Sequence, residues 1–245
     1  MSAAYNVYKC LFNNNGQAST VEPTGASSSI LSTADSYKWK FMYTITAAEA
    51  LKFLTSAYIP VKHIGTTDDG SDQWDIEQAA ANGAIDVIDV TAGGSSFNNY
   101  NTGTLANVTN SSAMTLSSGA SSTSGVYSNS VLYLTGGTGA GQQANIQSYA
   151  GASKKVYLDV GFSTTPDTST TYSIAPMVLV NGDGSLCNAV CTMNATSNTV
   201  YSVTVTGIGR NYSQAFVTLT ANGLSGATAE AFVPPPGGHG NNAVT

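Results

Sequence analysis

Ile85-Asp-Val-Ile-Asp-Val-Thr-Ala-Gly-Gly-Ser-Ser-Phe97 is written a second time, in altered letters, as Val200-Tyr-Ser-Val-Thr-Val-Thr-Gly-Ile-Gly-Arg-Asn-Tyr212. Both copies read apolar-x-x-apolar-x-Val-Thr-x-x-Gly-x-x-aromatic, so Val90 matches Val205, Gly94 matches Gly209 and Phe97 matches Tyr212. Apolar residues at alternate positions suit a strand buried on one face. The break at glycine and the return at an aromatic ring predict a strand–turn–strand unit used twice.

Outward from the second copy, the chain stays periodic. Strands are predicted near 186–193, 200–206, 214–220 and 226–233, with Asn181–Gly184 as a tight turn and Pro234-Pro235-Pro236 stopping the last strand. Outward from the first copy, residues 5–12 read as a strand and Asn13–Gly16 as its turn. The run Tyr37-Lys-Trp-Lys-Phe-Met-Tyr43 alternates, placing Tyr37, Trp39, Phe41 and Tyr43 on one face and both lysines on the other. Thr46-Ala-Ala-Glu49 is a capping box, predicting a short helix that buries Ala50, Leu51, Phe53 and Leu54 and ends before Pro60. A second helix is expected from Gln73 to Asn82, with Asp72 as N-cap and Gly83 in the left-handed position that closes it.

Between the two copies the text changes. Residues 98–125, rich in Asn, Ser, Thr and Gly, predict long turns around short edge strands. Strands then recur at 131–134, 144–149, 155–160 and 172–174, a meander of antiparallel strands. The expected fold class is therefore mainly β: a layered antiparallel β-sandwich with two short helices in loops. Its core domain comprises residues 1–97 and 176–245, and 98–175 form an inserted β-rich lobe.

Composition narrows the function. Charged residues are 9% of the 245, against about a quarter in ordinary soluble domains, and the net charge is −6. Uncharged polar surfaces suit close packing in an assembly, because docking them desolvates few charges. The acidic balance and scattered basic residues argue against nucleic acid. No stretch approaches the roughly 20 apolar residues of a membrane span, and Met1-Ser-Ala-Ala-Tyr-Asn6 lacks the pattern of a signal peptide. Folding in a reducing cytoplasm is expected. Cys187 and Cys191 alternate with Ala189 and Met193, so in a strand all four share one face; four apart, the cysteines lie about 13 Å from each other and cannot pair. With Cys10 they read as small buried hydrophobes.

Candidate chemistry is thin. Gly139-Ala-Gly-Gln-Gln-Ala144 has the letters of a dinucleotide fingerprint but precedes a strand instead of a helix, so it reads as a hairpin turn. Asp68, Asp69, Asp72, Asp75 and Glu77 do not follow the EF-hand spacing and read as helix caps and a solvated face. His63 and His239 are far apart in sequence, and His239 in Gly-Gly-His-Gly reads as a polar residue in a turn that packs backbone closely. Asp159 and Asp167 are acids that could meet, as glycoside cleavage requires, but no motif singles them out. Asn107, Asn110, Asn194 and Asn211 begin glycosylation sequons that carry little weight in so polar a chain. No catalytic residue, metal ligand or cofactor is assigned.

Four stretches taken together resemble one family: Asn6-Val-Tyr-Lys-Cys-Leu-Phe-Asn-Asn-Asn-Gly16, Ser19-Thr-Val-Glu-Pro-Thr-Gly25, Tyr37-Lys-Trp-Lys-Phe-Met-Tyr-Thr-Ile45 and Pro235-Pro-Gly-Gly-His-Gly240. In letters and in order they look like the baseplate wedge subunit of contractile-tailed bacteriophages, the gene-product-eight type. The likeness spans residues 5–65 and 176–242; the segment 98–175 matches least. It implies a layered β-sandwich with helix-bearing loops, a homodimer inside each wedge, contacts with other wedge subunits, a place in the virion tail baseplate, and neither catalysis nor cofactor. Trp39, Tyr43, Trp74 and Tyr212 are the expected interface anchors, with core packing as the competing role. The alternatives are a carbohydrate- or receptor-binding β-module of a tail fibre or tip, and a glycoside-cleaving tail enzyme.

Overall fold

The computed structural model describes residues 5–97, 99–194 and 196–242; the amino-terminal reading of Met1–Ala4 lies outside them. The strands before and within the first copy are β1 (Asn6–Phe12), β2 (Leu31–Ser32), β3 (Lys38–Thr44) and β4 (Ile88–Ser95). The middle of the chain forms β5 (Asn101–Thr104), β6 (Asn107–Asn110), β7 (Ala113–Thr115), β8 (Ser130–Gly136), β9 (Gln143–Ala150) and β10 (Lys155–Leu158). The last third gives β11 (Thr171–Gly182), β12 (Ser185–Asn194), β13 (Thr199–Arg210), β14 (Ala215–Thr220) and β15 (Ser225–Ala231). Two short helices, α1 (Ala47–Phe53) and α2 (Asp72–Ala79), lie between β3 and β4. The protein is mainly β, with antiparallel pairing throughout its described ladders, consistent with a β-sandwich.

The repeat is a repeat of backbone shape. Gly94 and Gly209 both have left-handed φ, +69° and +62°, and two residues later Ser96 and Asn211 do the same, at 66° and 62°. A Cβ at Gly94 would sit 2.7 Å from backbone atoms of Ser225 and Ala227; one at Gly209 would sit 2.7 Å from the Ser185 carbonyl. Glycine is required twice over, by conformation and by space. The kink turns the closing aromatics inward, so Phe97 and Tyr212 are both buried.

The copies also lie beside one another. The Ile85 N–H donates to the Ile208 carbonyl (2.7 Å), Asn211 N–H to Asn82 (2.8 Å) and Tyr212 N–H to Gly83 (3.1 Å). Further along, Gly93 lies against the Val200 carbonyl. These contacts run antiparallel: as the first copy advances, its partner in the second retreats. Around them the ladder runs β4–β15–β14–β11, with β12 joined to β11 at Met177–Val190 and β13 joined to β12. Alternate residues of these strands fill one core: Cys187, Ala189, Cys191 and Met193 of β12, Ala215, Val217 and Leu219 of β14, Ala227, Ala229 and Ala231 of β15. The predicted shared face of Cys187 and Cys191 is thus observed; both are free thiols, raised by burial to about 11 and about 12.

β11 serves two cores. Its second half pairs with β14, while its first half lies between β5 and β8. From Ile174 backwards its inward residues join a second cluster containing Met114, Leu132, Leu134, Ile146, Val156 and Tyr172. Gly139–Gln142 fall in the β8–β9 turn, and Gln143 and Ala144 open β9 with no helix following, as the context predicted.

A separate three-stranded sheet, β1–β3–β2, supports the helices. Here three expectations are corrected. α2 begins at Asp72 under Ser71, whose hydroxyl accepts from Trp74 N–H (3.2 Å), so Ser71 is the N-cap; the helix ends at Ala79, and Gly83, at φ +64°, belongs to a later turn. α1 has its capping box, Thr46 with Glu49, but buries Ala50 alone, leaving Leu51 91% and Phe53 51% exposed. Seven residues make barely two turns, and Leu51 sits about 100° around the axis from Ala50. The lysine face of β3 is covered as well: Lys40 is 4% exposed, because the turn bearing His239 lies over it. Cys10 is exposed and contributes nothing to a core.

Candidate functional site

Where a chain offers little acid–base chemistry, its function is sought in what its surface leaves uncovered. The densest uncovered apolar stretch is α1 and the segment after it: Leu51, Phe53, Tyr58, Ile59 and Val61, all exposed. The physical cause is local. The capping box fixes the start of α1, and the Thr55 hydroxyl accepts from Ala57 and Tyr58 N–H, folding the following turn tightly outside the sheet. Tyr43 ties this segment to β3 by donating to the Pro60 carbonyl (3.0 Å). These five side chains are thereby exposed to water along one stretch of chain. Lys52 lies over the Phe53 ring at 5.0 Å and is the basic residue in the last turn of α1.

A second uncovered patch lies on the outer face of the sandwich. Phe216 of β14 is 65% exposed, and its cross-strand diagonal neighbour Leu179 of β11 is also exposed. Tyr201 of β13 stands out at 70% exposure because β13 carries an irregularity there, between the pairs Thr192–Ser202 and Met193–Val200.

Of the expected anchors, Tyr43 and Tyr212 are core residues. Tyr43 is buried beside Val7, Ile45 and Ala50, and Tyr212 is packed among Gly83, Gly182, Gly184 and Gly209. Neither can anchor a surface in this fold. Trp39 is half-buried, stacked on Tyr37 at 5.3 Å, with its indole Nε1 buried and unpartnered among the described residues. Trp74 is half-buried on α2. The alternation of β3 was legible, but alternation alone does not say which face is covered by another layer. The signal that could have found the α1 surface is the shortness of the helix: seven residues cannot bury four.

The ionisable residues singled out from sequence are held in local structure. Asp68 and Asp69 accept from Gly70 and Ser71 N–H ahead of α2, Asp72 and Asp75 sit in its first turn, and Glu77 accepts from Gln73. Asp159 accepts from Asn145 (3.0 Å), and Asp167 from Thr138 and Ser169, hydroxyls that hold it below the usual carboxylate range. His63 bonds Asn242 through Nδ1 (3.0 Å). Among the described residues no group of three or more His, Cys, Asp or Glu side chains could hold a metal ion, and no helix is long and apolar enough to cross a membrane.

No protein family, curated protein or solved structure matches this chain.

Proposed function

We propose that this chain is a structural subunit of a bacteriophage tail baseplate wedge, located in the virion, that joins a second copy of itself and other wedge proteins through extended interfaces. The observation that carries the reading is the fixed apolar surface of Leu51, Phe53, Tyr58, Ile59 and Val61. It follows directly on the Tyr37–Ile45 stretch that resembles the wedge family, and the low charge density means that covering it desolvates few ions. Interfaces of this kind take most of their energy from a few aromatic and aliphatic anchors. The test is sedimentation of the purified chain alone and mixed with the other wedge proteins of a contractile tail. A dimer that also recruits a wedge partner is expected, and Leu51→Ser with Tyr58→Ser should weaken one of these contacts without unfolding the chain. A chain that stays monomeric and binds none of them defeats the proposal.

A carbohydrate-binding module remains the second reading, favoured by one groove. It has a volume of about 620 Å³ and is lined by Gln142, Gln143, Asn145, Asp159 and Asn188, with the Gln143 Oε1 buried and unpartnered among the described residues. Side-chain amides suit sugar hydroxyls. A glycan array separates the readings, since a wedge subunit gives no reproducible hits.

A further inference from the structure

The Gly237-Gly-His-Gly240 turn builds something that assembly alone does not require. Its three glycines have φ of +88°, +95° and +98°, a conformation that side chains rarely adopt. A Cβ at Gly238 would meet the Ala81 backbone at 2.3 Å, and one at Gly240 would meet Ile76 and the Lys40 side chain at 2.9 and 3.1 Å. The turn is further fixed by the Gly237 N–H donating to Asn82 Oδ1 (2.9 Å). The result is a histidine carried from the chain's end into the seam between β3, the first copy and β13. His239 is 8% exposed, and neither ring nitrogen has a partner among the described residues. A buried polar group left unpaired in a native fold calls for an explanation, and a ligand-binding role is one.

His239 lines a cavity of about 470 Å³ together with Lys38, Lys40, Asp86, Ser28, Ser29 and Ser32. The serines are exposed and form its rim, while Lys40 and His239 are more than nine-tenths buried. The Lys40 ammonium donates to the Ser28 carbonyl (2.5 Å), which occupies one of its three N–H groups. Lysine is almost never buried so deeply without a counter-charge. Asp86, across the cavity, is half-buried and is not hydrogen-bonded to Lys40 among the described residues; burial pushes its carboxyl up, and the lysine pulls it partly back. Lys9 adds its field to that of Lys40 at His239, and together with burial they hold the imidazole down at about 4. Lys38 and Lys40 thus line the cavity with one acid, Asp86, on its wall, while Asp89 lies within the field of Lys38.

We propose that this cavity binds a small oxyanion, a carboxylate or a phosphate, held by the Lys40 ammonium and an N–H of His239, with the rim serine hydroxyls as further donors. Such a ligand answers two needs at once. It gives the buried ammonium a counter-charge, and it gives the imidazole an acceptor, through charge-assisted bonds of the stronger kind. The site stands whether or not the chain belongs to a baseplate.

The experiment is a nuclear magnetic resonance titration of the full chain with labelled histidine. The chain has two histidines, so His63→Gln assigns the remaining ring signals to His239. Inorganic phosphate, acetate and chloride are added separately at matched ionic strength. Saturable movement of the His239 signals with phosphate or acetate, absent with chloride, supports the site, and the better of the two oxyanions tells phosphate from carboxylate. Lys40→Met should weaken that response by roughly tenfold or more, the loss of one charge-assisted bond. No movement with either oxyanion, or equal movement with chloride, overturns the proposal. If Lys40→Met fails to fold, His239→Gln followed by calorimetry replaces it, and heat of binding undiminished in that variant overturns the proposal as well.

Discussion

The two hydrophobic cores that share β11 are built from different materials. The core of the middle segment is made of large side chains buried almost completely: Leu132, Ile174 and Met114 are 0% exposed, and Tyr172 is 1%. Its tyrosines are satisfied from within. The Tyr172 hydroxyl donates to Asn101 Oδ1 (2.6 Å) and accepts from Ser117 N–H (3.1 Å), and Tyr127 stands edge-on to Tyr149 at 4.6 Å. The core around the repeat is instead mostly alanine, valine and cysteine, with many members only partly buried. Small side chains let its strands approach closely, and that approach is what places glycine backbone against backbone at Gly83, Gly93 and Gly209. One region is held by volume, the other by fit. The first tolerates surface change and is vulnerable to cavities; the second is vulnerable to any added atom.

The largest expected effect is therefore a deletion in the first core. Leu132→Ala, at a site with no exposure, should cost about 2–5 kcal/mol, the range for a leucine truncation that leaves a cavity. Urea unfolding followed by fluorescence measures it; a loss below ~1 kcal/mol would mean that this core collapses around the hole and is not held by volume.

The reverse change probes the second core. Gly94→Ala and Gly209→Ala each combine a strained φ with a Cβ 2.7 Å from backbone, and should each cost about 1–3 kcal/mol. If the copies are equivalent devices, the two losses agree. A harmless Gly94→Ala beside a damaging Gly209→Ala would show that likeness of letters had outlived likeness of role. Of similar size is Ala189→Leu, which adds volume at a buried site among the alanines of this core. About 1–3 kcal/mol of overpacking is expected, and the same unfolding assay checks it.

These contrasts also mark what the sequence could carry. The strands were legible because alternation is a local property: Cys187-x-Ala-x-Cys-x-Met193 reads as one face and packs as one. The capping box at Thr46 was legible for the same reason, since its two hydrogen bonds span three residues. The repeat told of two equal units but not that they would lie against each other, because the pairing of Ile85 with Ile208 is a contact across more than a hundred residues. The burial of Lys40 was not legible for a similar reason. What buries it is a turn almost two hundred residues later, and no pattern around Tyr37–Tyr43 records that turn. The surface at Leu51 was misread through composition: leucine and phenylalanine on a helix were assigned to a core that this seven-residue helix meets only through Ala50.

The smallest predicted effect concerns how the second copy is tied down. In the Asn181–Gly184 turn, Asp183 accepts from Ser213 N–H (2.9 Å), Gln214 N–H (3.1 Å) and the Ser213 hydroxyl (2.5 Å), latching the residues just after Tyr212. Those donors, the hydroxyl foremost, favour the charged carboxylate and lower it from 3.8 to about 2. The folded value lies below the unfolded one, so the latch stabilises fully above about pH 4 and is lost as the pH falls towards about 2. Asp183 is open to solvent, so the effect is modest and weakens with salt. Asp183→Asn should flatten the acid limb of the stability curve between those two values while leaving the neutral limb nearly parallel to that of the parent chain. An acid limb unchanged in the variant would mean that the shape of the turn, and not the carboxylate, holds the end of the second copy in place.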